Sequence, residues 1–363
     1  MIRFPTDYTL IRERIESIDA VTYGKTRNFL NGSVTYLSPY ITRGVISLPM
    51  VKETILKHHS GYESVQLIKE LAWREYFQRV WQHLGDDLFT DIRQPQTDTL
   101  HHQIPEAILS AKTGILAIDT AIENLYKTGY MHNHARMYTA MVCCNIGKAN
   151  WQLPAKWMYY HLLDGDPASN MLSWQWVVAA FGSKKYYANQ QNINTYCGTD
   201  QHKTFLDHSY ETIAEQPVPE ILSATVKPDL ITVLPAKQKP LLDTSLPLLL
   251  YNSYQLDPLW HKEEKANRLL VLEPSHFFKY PVSEKVIGFI VDIARKNIPG
   301  IQVFSGEVNE IEELNLFPDI YHKEHPTTLH YPGVKEAREW MFTEVTGYSP
   351  GFFGFWKKCE KYL

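Results

Sequence analysis

From Tyr8 to about Phe181 apolar residues recur at helical spacing, in stretches such as YTLIRERIESI, VQLIKELAWREYFQRVWQHL, ILAIDTAIENLY and ARMYTAMVCCNI. This period predicts an all-helical domain over residues 1–200. Between the helical stretches stand start and stop signals. Asn31-Gly32 makes a turn, Ser38-Pro39 reads as an N-cap with proline at the first helical position, and Gly85-Asp86-Asp87 follows a helix end.

Between about 201 and 245 the text changes to PVPEILSATVKPDLITVLPAKQKP, where repeated Pro and Lys interrupt every period, as in a linker or wrapping segment. Beyond it come the short apolar runs LPLLLYN, RLLVLEP and IQVFSG, with the helical stretch VSEKVIGFIVDIARKN between the last two. That alternation predicts parallel strands with a crossover helix, hence a smaller α/β, Rossmann-like domain over 246–363. A length of 363 residues suits two domains, and no internal repeat suggests a solenoid.

The charged start MIRFPTDYTLIRERIESID has no apolar core of a signal peptide or membrane span, so a cytoplasmic protein with no membrane partner is expected. Four cysteines, two of them adjacent at Cys143-Cys144, fit reduced thiols better than a zinc site or a disulfide framework. Adjacent histidines such as His58-His59 and His101-His102 rarely chelate together, so no metal site is expected. Residues 1–200 carry 19 basic and 18 acidic side chains, a weak electrostatic case for binding nucleic acid.

The chemistry concentrates in HNHAR (132–136), DGDPASN (164–170) and WQW (174–176). Asn133 and Arg136 share a helix face, and Asp164 and Asp166 precede a helix on which Asn170 and Trp174 are spaced by four. Such a set of amide, guanidinium, carboxylates and indole can converge on a planar heteroaromatic ring with imide groups; ordinary helix caps and a surface ion pair are the alternative.

Taken in order, these motifs closely resemble the flavin domain of the photolyase and cryptochrome family. TGYMHNHARM is similar to the family's TGWMHNRxRM, LLDGDPASNMLSWQW to LxDGDxAxNxxxWQW, TYLSPYITRGVIS to TSRLSPYLxxGxxS, and KELAWREYF to NELxWREFY. The resemblance implies FAD as cofactor. Tyr23, Thr35, Leu37 and Ser38 would hold its phosphates and ribityl chain, and Arg74, Asn133, Arg136, Asp164, Asp166 and Asn170 would surround the isoalloxazine, with Asn170 facing N5. An asparagine there resembles photolyases, whereas plant cryptochromes carry an acid and insect ones a thiol.

By the same resemblance Glu70 would bond the lesion bases and Trp73 would stack on them, while Asn133 and Met137 match the cyclobutane-dimer type rather than the (6-4) type, which places His at both positions. The implied function is splitting of pyrimidine dimers in ultraviolet-damaged DNA by an electron from photoexcited FADH⁻, with a cryptochrome-like photoreceptor as the alternative. Trp174 and Trp151 match the inner two indoles of the family's photoreduction relay; the third position falls near Asp98, which leaves Trp157, Tyr159 or Tyr138 as exits. The 246–363 region resembles the family's antenna domain in a permuted order, without specifying a pigment or an oligomeric state. The final GYSPGFFGFWKKCEKYL reads as a tail docking onto the body or as part of a DNA-facing rim.

Overall fold

The structure, a computed structural model, describes residues 2–312 and 314–363. The chain forms two compact units: one takes the N-terminal segment to Ala20, Thr35–Gln82 and Ile231–Leu363, the other Val21–Val34 and His83–Leu230. The boundaries expected at 200 and 245 run across this division, because part of the helical half folds with the C-terminal residues.

In the first unit, α1 (Tyr8–Glu16), α2 (Leu48–His58) and α3 (Gly61–Leu84) follow the apolar spacing of the sequence. Asp7 caps α1 by accepting the backbone N–H groups of Thr9 and Leu10, and Ser47 caps α2 through Met50. The short helix Ser38–Thr42 corrects one expectation. Its cap is Leu37, already in a helical conformation, and no side chain caps it, so Ser38 sits inside the first turn. Gly44 is required: its φ is +63°, and a Cβ there would come within 2.4 Å of the Tyr254 carbonyl oxygen.

The second unit contains α4 (Leu116–Thr128), α5 (Asn133–Ala140), α6 (Gln152–His161), α7 (Pro167–Val177) and α8 (Gln190–Cys197). Besides helix and loop it holds a two-residue antiparallel pairing of Ile104–Pro105 with Thr225–Val226 and a single parallel bridge between His101 and Ala149. Gly129 ends α4 in the left-handed conformation at φ 73°. His132 caps α5, its Nδ1 accepting the His134 backbone N–H. Helix α5 runs on into a buried π-turn, Met141–Ile146, which holds the free thiols Cys143 and Cys144. Asn145 in that turn donates to the carbonyls of Val177 and Tyr186, fixing the end of α7.

Returning to the first unit, five strands, β1 (Leu248–Tyr251), β2 (Asn267–Leu272), β3 (Gln302–Ser305), β4 (Ile320–Lys323) and β5 (Val334–Glu336), form a parallel sheet in the order β3-β2-β1-β4-β5. Helix α9 (Glu284–Asn297) connects β2 to β3, as the sequence predicts. Leu248, Leu250, Leu269, Val271 and Phe304 build the core on one face, while Leu249, Leu270 and Leu272 are buried as well, which explains why these strands read as continuous apolar runs. Asn297 at the end of α9 accepts the Tyr8 backbone N–H and donates to the Thr6 carbonyl, so the N-terminal segment is tied to the α/β part.

Helix α10 (Phe352–Cys359) and the segment before it are fastened to α3. The Glu75 carboxylate is 0% exposed; it accepts from Arg79 at 2.9 and 3.1 Å and from the Met341 backbone N–H. Arg79 in turn donates to the Phe342 carbonyl and lies over the Trp340 ring. Burial pushes the Glu75 carboxyl above its usual range, against the pull of Arg79.

Breaking this pair from one side strands a buried charge. Glu75→Ala is expected to cost about 3–5 kcal/mol, read as a lower urea midpoint, and pairing it with Arg79→Met should recover much of the loss. His132 gives a pH test, since burial, reinforced by His134 and Arg136, lowers its imidazole to about 4. Its neutral form therefore contributes stability above pH 6.5 that is lost as the pH falls towards about 4, roughly 3 kcal/mol in total. His132→Asn keeps a cap but no titration, and urea unfolding at pH 7 and pH 5 should show a smaller acid loss than the parent.

Candidate functional site

Of the residues singled out in the sequence, Tyr23, Asn133, Arg136, Met137, Trp151, Asp164, Asp166, Asn170 and Trp174 lie in the second unit. Thr35, Leu37, Ser38, Glu70, Trp73 and Arg74 lie in the first.

The second-unit set is built on three helices. Arg136, one turn into α5, makes a two-pronged ion pair with Asp164 at 2.8 and 2.9 Å, while its Nε donates to the Met131 carbonyl. Asp164 is only 3% exposed at its side chain, so this guanidinium offsets the cost of burying the carboxylate. Asp166 caps α7 by accepting the Ser169 backbone N–H at 2.6 Å, and Pro167 begins the helix. One turn on, the buried Asn170 donates to the Ala155 carbonyl of α6 at 2.8 Å; a further turn brings the buried Trp174. Asn133 and Met137 stand together on α5, amide nitrogen to sulfur at 3.9 Å.

These groups fit a flavin by their chemistry. A guanidinium, two buried carboxylates and a primary amide, all held in place, offer donors and acceptors for an imide edge and a ring nitrogen. Ser169 Oγ, between Asp166 and Asn170 in sequence, is buried without a hydrogen-bond partner in the protein, a polar atom that a ligand group would satisfy. Among the described residues no group of three or more His, Cys, Asp or Glu is placed to hold a metal ion, and no helix is long and apolar enough to cross a membrane.

In the first unit Arg74 donates to Thr42 Oγ1 at 2.6 Å, and Glu70 accepts from Gln66. Trp73 has its ring stacked on Phe352 of α10, centroids 3.5 Å apart and planes 11° from parallel, with Phe77 at 5.3 Å. Lys69 lies over Phe353, next to Phe352. The C-terminal aromatics thus dock on α3, and one face of Trp73 is covered by the protein's own chain. Sequence reasoning missed this stack: the lone signal was the run GFFGFW, which does not name its target.

Trp174 and Trp151 are both buried. Asp98, near which the resemblance would put a third relay indole, pairs with Lys185 at 2.8 Å. Sequence reasoning also passed over Asp91, whose carboxylate meets the Trp151 ring.

Comparison with known proteins supplies the family. Residues 67–231 match the model of the FAD binding domain of DNA photolyase. The deoxyribodipyrimidine photo-lyase of Alkalihalophilus pseudofirmus is 30% identical over 147 residues, covering 39% of this chain and 31% of that protein. The cryptochrome DASH of Danio rerio is likewise 30% identical, over 164 residues, with 42% and 31% covered. The chain thus spans about a third of the length of these curated relatives. Among solved structures, a class III photolyase from Agrobacterium tumefaciens aligns with TM-score 0.47 and 24% identity over 53% of this chain and 43% of that one. Residues 67–231 are thus an FAD-binding domain of the photolyase type, and the cofactor of such a domain is FAD.

Proposed function

We propose that this protein is a light-driven FAD enzyme that splits cyclobutane pyrimidine dimers in ultraviolet-damaged DNA. The observation that carries the flavin assignment is the set of buried Asp164, Asp166 and Asn170 with the half-buried Arg136 paired to Asp164, within the matched segment. Bound FAD, in its reduced form, supplies one photoexcited electron. Asp164 and Arg136 would hold the imide edge, and Asn170, its nitrogen committed to the Ala155 carbonyl, would have its oxygen left to accept from a ring N–H. Trp174 would be the indole that passes electrons inward.

Asn133, Met137, Glu70 and Trp73 are assigned to the lesion. Flipping a dimer out of a duplex costs a few kcal/mol, least for a poorly stacked damaged pair, and stacking on an indole returns roughly 1–3 kcal/mol per base. Against this stands α10. The Trp73–Phe352 pair alone is worth about 0.5–1.5 kcal/mol, within reach of two stacked bases. The whole helix buries Phe352, Phe355, Trp356 and Cys359, at roughly 1.5–3 kcal/mol per large apolar side chain, which lesion stacking alone does not displace. Repair at Trp73 therefore needs backbone contacts with DNA to move α10. That stack is the specific observation favouring a second reading, a photoreceptor of cryptochrome type that performs no repair.

Blue light on the FAD-reduced protein mixed with a dimer-containing oligonucleotide should restore intact pyrimidines. Photoreduction of the flavin with no light-dependent loss of dimer would select the photoreceptor instead. Phe352→Ala should tighten binding to ultraviolet-irradiated DNA severalfold over undamaged DNA in a salt-controlled titration; equal affinities for parent and variant would remove Trp73 as the lesion platform.

A further inference from the structure

Trp151 is 1% exposed, yet its indole N–H reaches a carboxylate at the protein surface: Nε1 donates to Asp91 Oδ1 at 2.6 Å, and Asp91 itself is exposed. The contact is clamped from both sides. Asp91 Oδ2 accepts the Gln96 backbone N–H at 2.9 Å, Gln96 Oε1 accepts the Trp151 backbone N–H at 3.0 Å, and Gln96 Nε2 donates to the Ala149 carbonyl at 2.8 Å. Acid, amide and indole form a closed ring of hydrogen bonds, so the carboxylate is not a passing surface group. The same loop reaches Asp98, where the family's outer relay indole would be, and there it pairs with Lys185 instead of offering an aromatic ring.

A neutral indole is a donor only and a negligible acid. After losing one electron its N–H becomes strongly acidic, and a carboxylate already at hydrogen-bond distance can take the proton without rearrangement. We propose that Asp91 is the proton acceptor of Trp151, so that the electron relay ends at this buried indole. The proposal rests on the reading that Trp174 and Trp151 pass electrons towards the flavin. Trp174, having given one electron inward, takes one from Trp151; the Nε1–H bond of oxidised Trp151 breaks, an O–H bond forms at Asp91, and a neutral indole radical remains. A small thiol in solution supplies the electron that restores the indole and releases its own proton to water, while Asp91 returns the proton to Nε1.

The test is flash excitation of the full chain loaded with oxidised FAD, followed by transient absorption, which separates the indole radical cation from the neutral radical. The parent should form the neutral radical, more slowly in heavy water. Asp91→Asn keeps an oxygen for the N–H bond but takes no proton, so the radical cation should persist until it recombines and the neutral-radical signal should be lost. Neutral radical formed by Asp91→Asn at the parental rate would overturn the assignment. Trp151→Phe separates the two levels: if it leaves the flash signals unchanged, the relay reading fails and takes the proposal with it. A readout in the dark guards against a merely structural role. The Trp151 indole N–H resonance in a ¹H–¹⁵N spectrum should move on Asp91→Asn while bound FAD and circular dichroism stay the same, and a resonance that does not move would refute the contact itself.

Discussion

Burial of the Asp164 carboxylate is the constraint on which the candidate site depends. A carboxylate out of water costs several kcal/mol unless paired in good geometry, and Arg136 supplies that pairing with two parallel hydrogen bonds. For the two to meet, the loop after α6 must come close to the end of α4. Gly129 permits this: a Cβ there would lie 2.6 Å from Leu163 Cγ, and the Leu163 backbone N–H donates to the Gly129 carbonyl. Gly165 serves the same approach, since its Cβ would sit 2.9 Å from the Tyr159 carbonyl oxygen. Once Asp164 is placed, Asp166 falls at the start of α7, and the phase of Asn170 and Trp174 follows. The separate motifs TGYMHNHAR and DGDPASN are one device held by an ion pair and two glycines.

The same physics acts in the first unit with a different result. Glu75 and Arg79 are buried as a pair, and both spend hydrogen bonds on the backbone at Met341 and Phe342. The chain is thereby led along α3 to the point where Phe352 lies on Trp73. In the stretch WREYFQR, then, one helix carries both the anchor for the C-terminal segment, Glu75 and Arg79, and the surface that segment covers, Trp73. A helix that anchors its own cover couples the exposure of Trp73 to the stability of Glu75 and Arg79.

Much of this was legible in the sequence, and what was not has physical causes. Helices such as α1, α4 and α9 announce themselves because each buries one face, leaving a period, and β1–β3 because burial on both faces leaves unbroken apolar runs. Strands β4 and β5, IYHK and VKE, were missed: they are short and carry polar residues, His322 and Lys323 being buried among them. Ser38 looked like a helix cap because Ser-Pro is a common start, but the turn closes one residue earlier, with the Tyr40 and Ile41 N–H groups bonding to the Leu37 carbonyl. The direct pairing of Arg136 with Asp164 was not read from the motifs, which placed both groups around one ring. Nor was the Trp73–Phe352 stack, since it joins residues far apart in sequence whose meeting depends on the whole path of the chain.

The loop from Asp91 to Asp98 turns on a question of charge. A buried indole that has lost an electron carries a positive charge where solvation is poor, a state that burial penalises heavily. It can be relieved in two ways: the hole moves on to an indole near water, or the indole sheds its proton. The first needs a further aromatic ring on the way to water, and the loop from Asp91 to Asp98 has none, its end held by Asp98 and Lys185. The second needs a base at the N–H with access to solvent, and Asp91 has both properties, locked in place by Gln96. A loop with no aromatic ring but a clamped carboxylate thus suits the second course, in which the charge is neutralised where it stands.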